Sequence, residues 1–182
     1  MTAGVDQRTV WEIDPKHTRV EFAVTYLMFT TVKGHFDGVS GTVRLDADDP
    51  TRSAVVVEID AASLDTGEAR RDTHLRSADF LDVERYPTIS FASTRVEPVA
   101  AARWRVHGDL TIRDTTRAVV LETELTGQGR NPEGFDVVGY AAHTQIDRRD
   151  FGVRWNQTLE TGGILVGETV AIELEVQAIR QD

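Results

Sequence analysis

The chain has 182 residues, of which 40% are hydrophobic, and its 20 basic and 30 acidic residues give a formal net charge of −10. This length and hydrophobic content predict one globular domain, residues 1–182, with a single core. The negative charge repels phosphate backbones, which excludes nucleic acid as an expected partner.

The chain opens on small and polar residues. Met1–Arg8 contains neither the basic region nor the apolar region of a secretory signal. The sequence also lacks a run of about 18 apolar residues, the length that a membrane-spanning helix needs. We therefore expect a cytoplasmic protein without stable membrane insertion.

The first clear element is a strand in which Val20, Phe22 and Val24 alternate with polar or small residues. A period of two places these three side chains on one buried face. Across the chain, β-branched residues outnumber leucine, which favours sheet over helix. The same alternation predicts further strands at residues 39–45, 54–59, 88–96, 104–112, 119–125, 135–146 and 170–176.

One helical excursion interrupts this pattern between residues 63 and 87. Leu75, Phe80 and Leu81 recur there at helical spacing, and Ser77 or Asp79 is a suitable capping residue. The turns between the strands are short, which favours antiparallel pairing. Eight to ten such strands form a sandwich or a closed barrel, and periodicity does not choose between the two.

The residues that could carry catalysis or bind a metal form no recognised motif. Without cysteine, the chain has no thiol nucleophile and no thiolate metal site. His35, His107 and His143 alternate with inward residues and are predicted to face outward, so we expect no metal site. No serine lies in a nucleophile elbow, and we expect no catalytic residues and no cofactor.

The densest polar cluster contains Arg71, Asp72 and His74. One interpretation is a helix start whose charged groups pair internally and anchor the helix. The other is the rim of a cavity that meets the polar head of a ligand. The first interpretation predicts that Arg71→Ala lowers stability, and the second predicts that it weakens binding of polar-headed ligands.

Several segments together resemble the YceI-like family, also called polyisoprenoid-binding proteins. The resemblance implies an all-β fold, an extended lipocalin-like antiparallel β-barrel with one short helical excursion. It also implies binding, carriage or sequestration of an isoprenoid-type or similar amphiphilic lipid, no catalysis, and a possible homodimer. The matching segments are Trp11–Val24, Val32–Gly38, Ser63–Phe80, Tyr86–Phe91, Gly108–Ile112 and Arg149–Gly152.

The inward faces of the predicted strands supply the lining expected for such a lipid. We predict an elongated apolar tunnel, because residues on one face of each strand point to the same side of the sheet. The alternative function is a small-molecule enzyme or sensor that uses Arg71, Asp72 and His74 on the same barrel. The predicted lipid-binding residues are Phe22, Val24, Phe36, Phe91, Trp104, Leu110 and Ile112.

Overall fold

Antiparallel strands that follow one another along the chain form the wall of the protein. The computed structural model describes residues 6–182, so residues 1–5 of the opening stretch lie outside it. No helix among the described residues is long and apolar enough to cross a membrane. The strands and the helix of this part are β1 (Thr9–Ile13), β2 (Arg19–Tyr26), β3 (Thr30–Phe36), β4 (Val39–Leu45), β5 (Ala54–Asp60), β6 (Leu64–Asp65), α1 (Ala69–Arg76), β7 (Thr88–Ala100), β8 (Arg103–Ile112), β9 (Thr115–Arg130), β10 (Asp136–Asp147) and β11 (Val166–Gln181).

Two long strands of the wall are each broken in the middle. A 3-10 turn at Pro15–His17 separates β1 from β2, and the side chain of Asp14 caps this turn by accepting from the Lys16 N–H. Asp37 and Gly38 separate β3 from β4. A third strand is interrupted where the 3-10 turn Ala61–Ser63 separates β5 from β6. When each of these three interrupted strands is counted once, eight strands form a closed antiparallel barrel, which confirms the predicted fold.

The barrel closes where the last strand meets the first. β11 pairs with β10 along one edge, and along its other edge it pairs with both β2 and β1. At the break between those two strands, the Thr18 hydroxyl donates to the Gln177 carbonyl at 3.4 Å, a contact between residues 159 positions apart. The closing contact therefore joins opposite ends of the chain.

The helical excursion is shorter than the predicted segment and begins elsewhere. Glu68 caps the N-terminus of α1 by accepting hydrogen bonds from the backbone N–H groups of Arg70 and Arg71. Of the two predicted capping residues, Ser77 is the C-cap of the helix and Asp79 caps neither end. Ser77 lies at the other end of the helix, where its N–H donates to the His74 carbonyl. Ahead of the helix, β6 pairs with β3 and attaches the excursion to the barrel wall.

The two ends of the barrel are filled differently. We call the end covered by α1 the helix end and the opposite end the far end. At the far end, side chains from β4, β8, β10 and β11 meet in a packed core that includes Val43, Val106, Val138 and Ala178. The rings of Trp104 and Tyr140 lie 6.2 Å apart at this end. The helix end contains a cavity.

Candidate functional site

An apolar cavity of about 190 Å³ occupies the helix end of the barrel. Its walls come from the inward faces of the strands, and Leu75, Phe80 and Leu81 of the helical excursion cover it. Such a surface binds apolar groups by removing them from water and has little means of orienting them. The lining includes Val20, Phe22, Val24, Phe36, Ile89, Phe91, Leu110, Ile112, Leu121, Ile146, Val170 and Ile172.

Six of the seven predicted lipid-binding residues line this cavity, and Trp104 does not. Trp104 shares the inward face of β8 with Leu110 and Ile112, but it lies at the far end beside Tyr140. The cavity also occupies one end of the barrel rather than its full length. Period-two alternation predicts the face of a residue and not its level along the barrel. A role for any of the seven in lipid binding stays a prediction.

Two glycines make room for the largest rings of the cavity wall. A Cβ atom on Gly34 would collide with the ring of Phe22, and one on Gly108 would collide with the ring of Phe91. Each ring therefore lies against the backbone of a neighbouring strand. The rings of Phe22 and Phe36 are also in contact, with centroids 5.6 Å apart. Glycine at these positions keeps the aromatic rings close to the wall.

The polar groups of Arg71 and Asp72 converge on one residue of the preceding loop. The Asp72 carboxylate accepts from the backbone N–H of Thr66 at 2.9 Å and from its hydroxyl. Arg71 donates from Nε to the Thr66 hydroxyl at 2.7 Å and from Nη2 to the Thr66 carbonyl at 2.9 Å. Asp72 is buried, at 7% exposure. This geometry matches the anchoring interpretation of the cluster.

We call these hydrogen bonds of Arg71 and Asp72 to Thr66 the clamp. His74 takes no part in the clamp and forms an aromatic cap with Phe80 and Trp155. Its Nε2 is 2.8 Å from Oδ2 of Asp79. The edge of its ring packs on Trp155, with centroids 4.6 Å apart, and on Phe80, with centroids 5.0 Å apart. Sequence analysis missed Trp155, which follows the last predicted motif in a segment without periodicity.

A buried arginine that sequence analysis also missed holds the loop segments beside this cap. Arg148 is 6% exposed and donates to four backbone carbonyls. Its Nε reaches the Gly167 oxygen at 2.8 Å, and its Nη1 reaches those of Val153 and Trp155 at 2.9 and 3.0 Å. Its Nη2 reaches the Val166 oxygen at 3.2 Å. Burial lowers the pKa of the Arg148 guanidinium, since the charged form loses hydration.

The barrel wall is open between β9 and β10 at the helix end. Pairing of these strands starts at Asp136 with Arg130 and ends at His143 with Glu122. Beyond that point β9 remains paired with β8, and β10 remains paired with β11. The strands separate there around a cleft of about 360 Å³, which we call the β9–β10 cleft. Its lining is Arg117, Ala118, Val119, Val120, Thr144, Gln145, Ile146, Asp147, Asp150 and Phe151.

Four residues line both the cleft and the cavity: Val119, Thr144, Ile146 and Phe151. Phe151, which is 2% exposed, lies on a 3-10 turn that ends at Gly152 with a φ of 77°. This left-handed conformation is one that glycine adopts without strain. Side chains therefore separate the two spaces, with no strand between them.

Comparison with known proteins identifies the family. The sequence model of the YceI-like domain matches residues 11–178. The chain belongs to the YceI-like family. A UPF0312 protein of Vibrio cholerae is 38% identical over 144 residues, which cover 78% of this chain and 76% of that protein.

Solved structures share the fold of this YceI-like protein. BcnA of Burkholderia cenocepacia superposes with a TM-score of 0.80 at 22% identity, covering 91% of this chain and 98% of that one. A polyisoprenoid-binding domain from Saccharophagus degradans, implicated in plant cell wall breakdown, superposes with a TM-score of 0.69 at 13% identity. The match covers 95% of this chain and 99% of that domain.

One group of side chains on the YceI-like barrel could hold a metal ion. The ligand atoms of His35, Asp37 and Asp65 lie within 4.8 Å of one another. Nε2 of His35 lies 3.2 Å from Oδ1 of Asp37, and the pairing of β3 with β6 brings Asp65 beside His35. Sequence spacing did not predict this group, because the three donors meet only after that pairing forms.

Proposed function

We propose that this YceI-like protein binds an isoprenoid-type or similar amphiphilic lipid, with the apolar tail in the cavity, and thereby carries or sequesters it. The observation that carries the proposal is the apolar cavity inside the helix end of the barrel. Each buried CH₂ of a tail contributes about 0.8 kcal/mol. The polyisoprenoid-binding domain of the same fold supports this choice of ligand class.

The size of the cavity limits the length of tail that it holds in this form. Ligand pockets usually measure about 300–1,000 Å³, and this cavity is smaller, at about 190 Å³. A short isoprenoid segment fits such a space, whereas a longer tail requires the cavity to widen or the tail to leave through an opening. Selectivity among tails should be loose because the contacts are apolar.

The proposal is one of binding without catalysis. The alternative enzyme or sensor requires Arg71, Asp72 and His74 to act on a ligand. The polar atoms of Arg71 and Asp72 already bond Thr66, and His74 Nε2 lies 2.8 Å from Asp79 Oδ2. A cytoplasmic location and a homodimer stay predictions.

The experiment is mass spectrometry of the organic extract of the purified protein, with two matched variants. Val170→Phe fills the cavity, whereas Val56→Phe makes the same change at a position that is 50% exposed on the outside of β5. We expect a lipid in the wild type and in Val56→Phe, and its loss from Val170→Phe. Equal amounts of lipid in all three proteins, each with an unchanged melting temperature, would contradict the proposal.

A further inference from the structure

The β9–β10 cleft differs from the cavity in polarity. If the register continued past His143 and Glu122, the next partners would be Thr144 with Leu121 and Gln145 with Val120. The pairing of β9 with β10 stops before these residues, so backbone groups along both edges are available to a bound molecule. Free N–H and C=O groups at strand edges are strong hydrogen-bonding sites.

Side chains add to the polarity of the cleft and give it a charge. Arg117 is its basic residue, and Asp147 and Asp150 are its acidic residues. Arg149 holds Asp147 in an ion pair at 2.7 Å, so this carboxylate is already partnered. The cleft thus carries no excess of positive charge, and the whole chain carries a net charge of −10. The cleft therefore lacks the group of basic side chains that a phosphorylated head needs, whereas it suits an uncharged hydrogen-bonding head.

The cleft is next to the cavity, and Thr144 lies where they meet. Its side chain lines both spaces, together with the apolar side chains of Ile146 and Phe151. A molecule with a polar head and an apolar tail could therefore occupy both spaces at once. The cluster on α1 is a poorer place for the head, because Arg71 and Asp72 are bonded to Thr66.

We propose that the β9–β10 cleft binds the head group of the ligand, and that this head is an uncharged hydrogen-bonding group such as a hydroxyl, an amide or a quinone carbonyl. This inference rests on the proposed function, in which the tail lies in the cavity. The head bonds the Thr144 hydroxyl and the free strand edges, and the tail passes Phe151 into the cavity. Tail burial supplies affinity, and the cleft selects the head.

The test keeps the tail constant and changes the head. Farnesol, farnesyl diphosphate and the headless hydrocarbon farnesene are titrated against the wild type, with binding followed by tryptophan fluorescence. Thr144→Val removes the hydroxyl at nearly constant shape, and Thr123→Val makes the same change on the intact part of the β9–β10 ladder. We expect the wild type to bind farnesol more tightly than the diphosphate. Thr144→Val should weaken farnesol binding by about three- to tenfold, the effect of one hydrogen bond, and leave farnesene binding unchanged.

A charge variant tests the preference for an uncharged head. Asp150→Asn removes one negative charge from the cleft, and Asp48→Asn removes one from an exposed turn between β4 and β5. We expect Asp150→Asn to strengthen diphosphate binding several-fold without changing farnesol binding, and Asp48→Asn to change neither. Tighter wild-type binding of the diphosphate than of farnesol would overturn the preference.

The outcomes separate this inference from the proposed function. If farnesene binds and Thr144→Val weakens all three probes equally, or none of them, the head-group site is wrong while tail binding stands. If no probe binds the folded wild type, the proposed function fails and the head-group site fails with it. Melting temperatures of the variants identify any loss of binding that comes from unfolding.

Discussion

The helix end and the far end of the barrel use the same strands and the same alternation, yet one is hollow and the other is filled. On β11, Val170 and Ile172 line the cavity, whereas Ala178 is completely buried in the far core. On β8, Leu110 lines the cavity and Val106 packs in the far core. The ends differ in whether the sheet continues all the way around the barrel. At the far end it does, because β1 pairs with both β11 and β4. At the helix end the wall opens between β9 and β10, and a helix with loops covers the interior. The cavity thus lies where the continuous sheet ends.

The largest expected effect comes from inserting the same ring at both ends of β11. Ala178→Phe should lower the free energy of unfolding by about 3 kcal/mol, since the far core has no room for the ring. Val170→Phe should cost less than about 1 kcal/mol, because its ring enters an existing cavity. Urea unfolding of both variants measures the difference. Equal losses of stability would show that the helix end is packed as tightly as the far end.

A smaller effect is expected at the clamp that holds the helix end together. Asp72→Ala leaves the Thr66 N–H and hydroxyl without their buried acceptor, and should cost about 2 kcal/mol. Arg71→Ala should cost about 1 kcal/mol and leave the preference among lipid heads unchanged. Arg70→Ala, a neighbouring exposed position, is the control and should change stability by less than about 0.5 kcal/mol. Arg71→Ala with an unchanged melting temperature and a selective loss of phosphorylated lipids would instead favour a role at the cavity rim.

The smallest expected effect is a pH dependence of the free energy of unfolding, which comes from Tyr140 at the far end. Burial raises the pKa of Tyr140 above its ordinary value of 10.0, because the interior disfavours the phenolate. The unfolded chain loses this proton near pH 10, and the folded chain loses it at a higher pH. Tyr140 therefore contributes stability that is complete below pH 10 and declines as the pH rises above it. Urea unfolding at several values from pH 8 to 11 should show a steeper loss for the wild type than for Tyr140→Phe. Parallel curves would contradict this expectation.

The sequence predicts the inward face of each long strand well, as Phe22, Phe91 and Leu110 show. It predicts position along the barrel poorly, and Trp104 is the clearest case. Alternation fixes which side of the sheet a residue faces, whereas its level depends on the stagger of all the strands. The strand Thr30–Phe36 was missed for a different reason, because residues 31–35 combine threonine, lysine, glycine and histidine with a single valine and show no clear alternation.

The β9–β10 cleft and the clamp on Thr66 could not have been predicted in the same way. Val119 and Ile146 belong to segments that alternate regularly, and each segment does form a strand. Whether two strands stay paired along their whole length depends also on their pairing with the strands on their other sides, here β8 and β11. The link between Asp72 and Thr66 joins a helix to a loop, and no sequence period connects them.

The closing contact of the barrel has a consequence for how the chain is made. The hydrogen bond between Thr18 and Gln177 spans 159 positions, and the strand that closes the barrel is the last to be synthesised. Forming so distant a contact carries a large entropic cost and slows folding. Until β11 emerges, the edges of β10 and β2 have no partner, and free strand edges invite pairing with other chains. Aggregation during synthesis should therefore depend on how quickly β11 reaches these two edges.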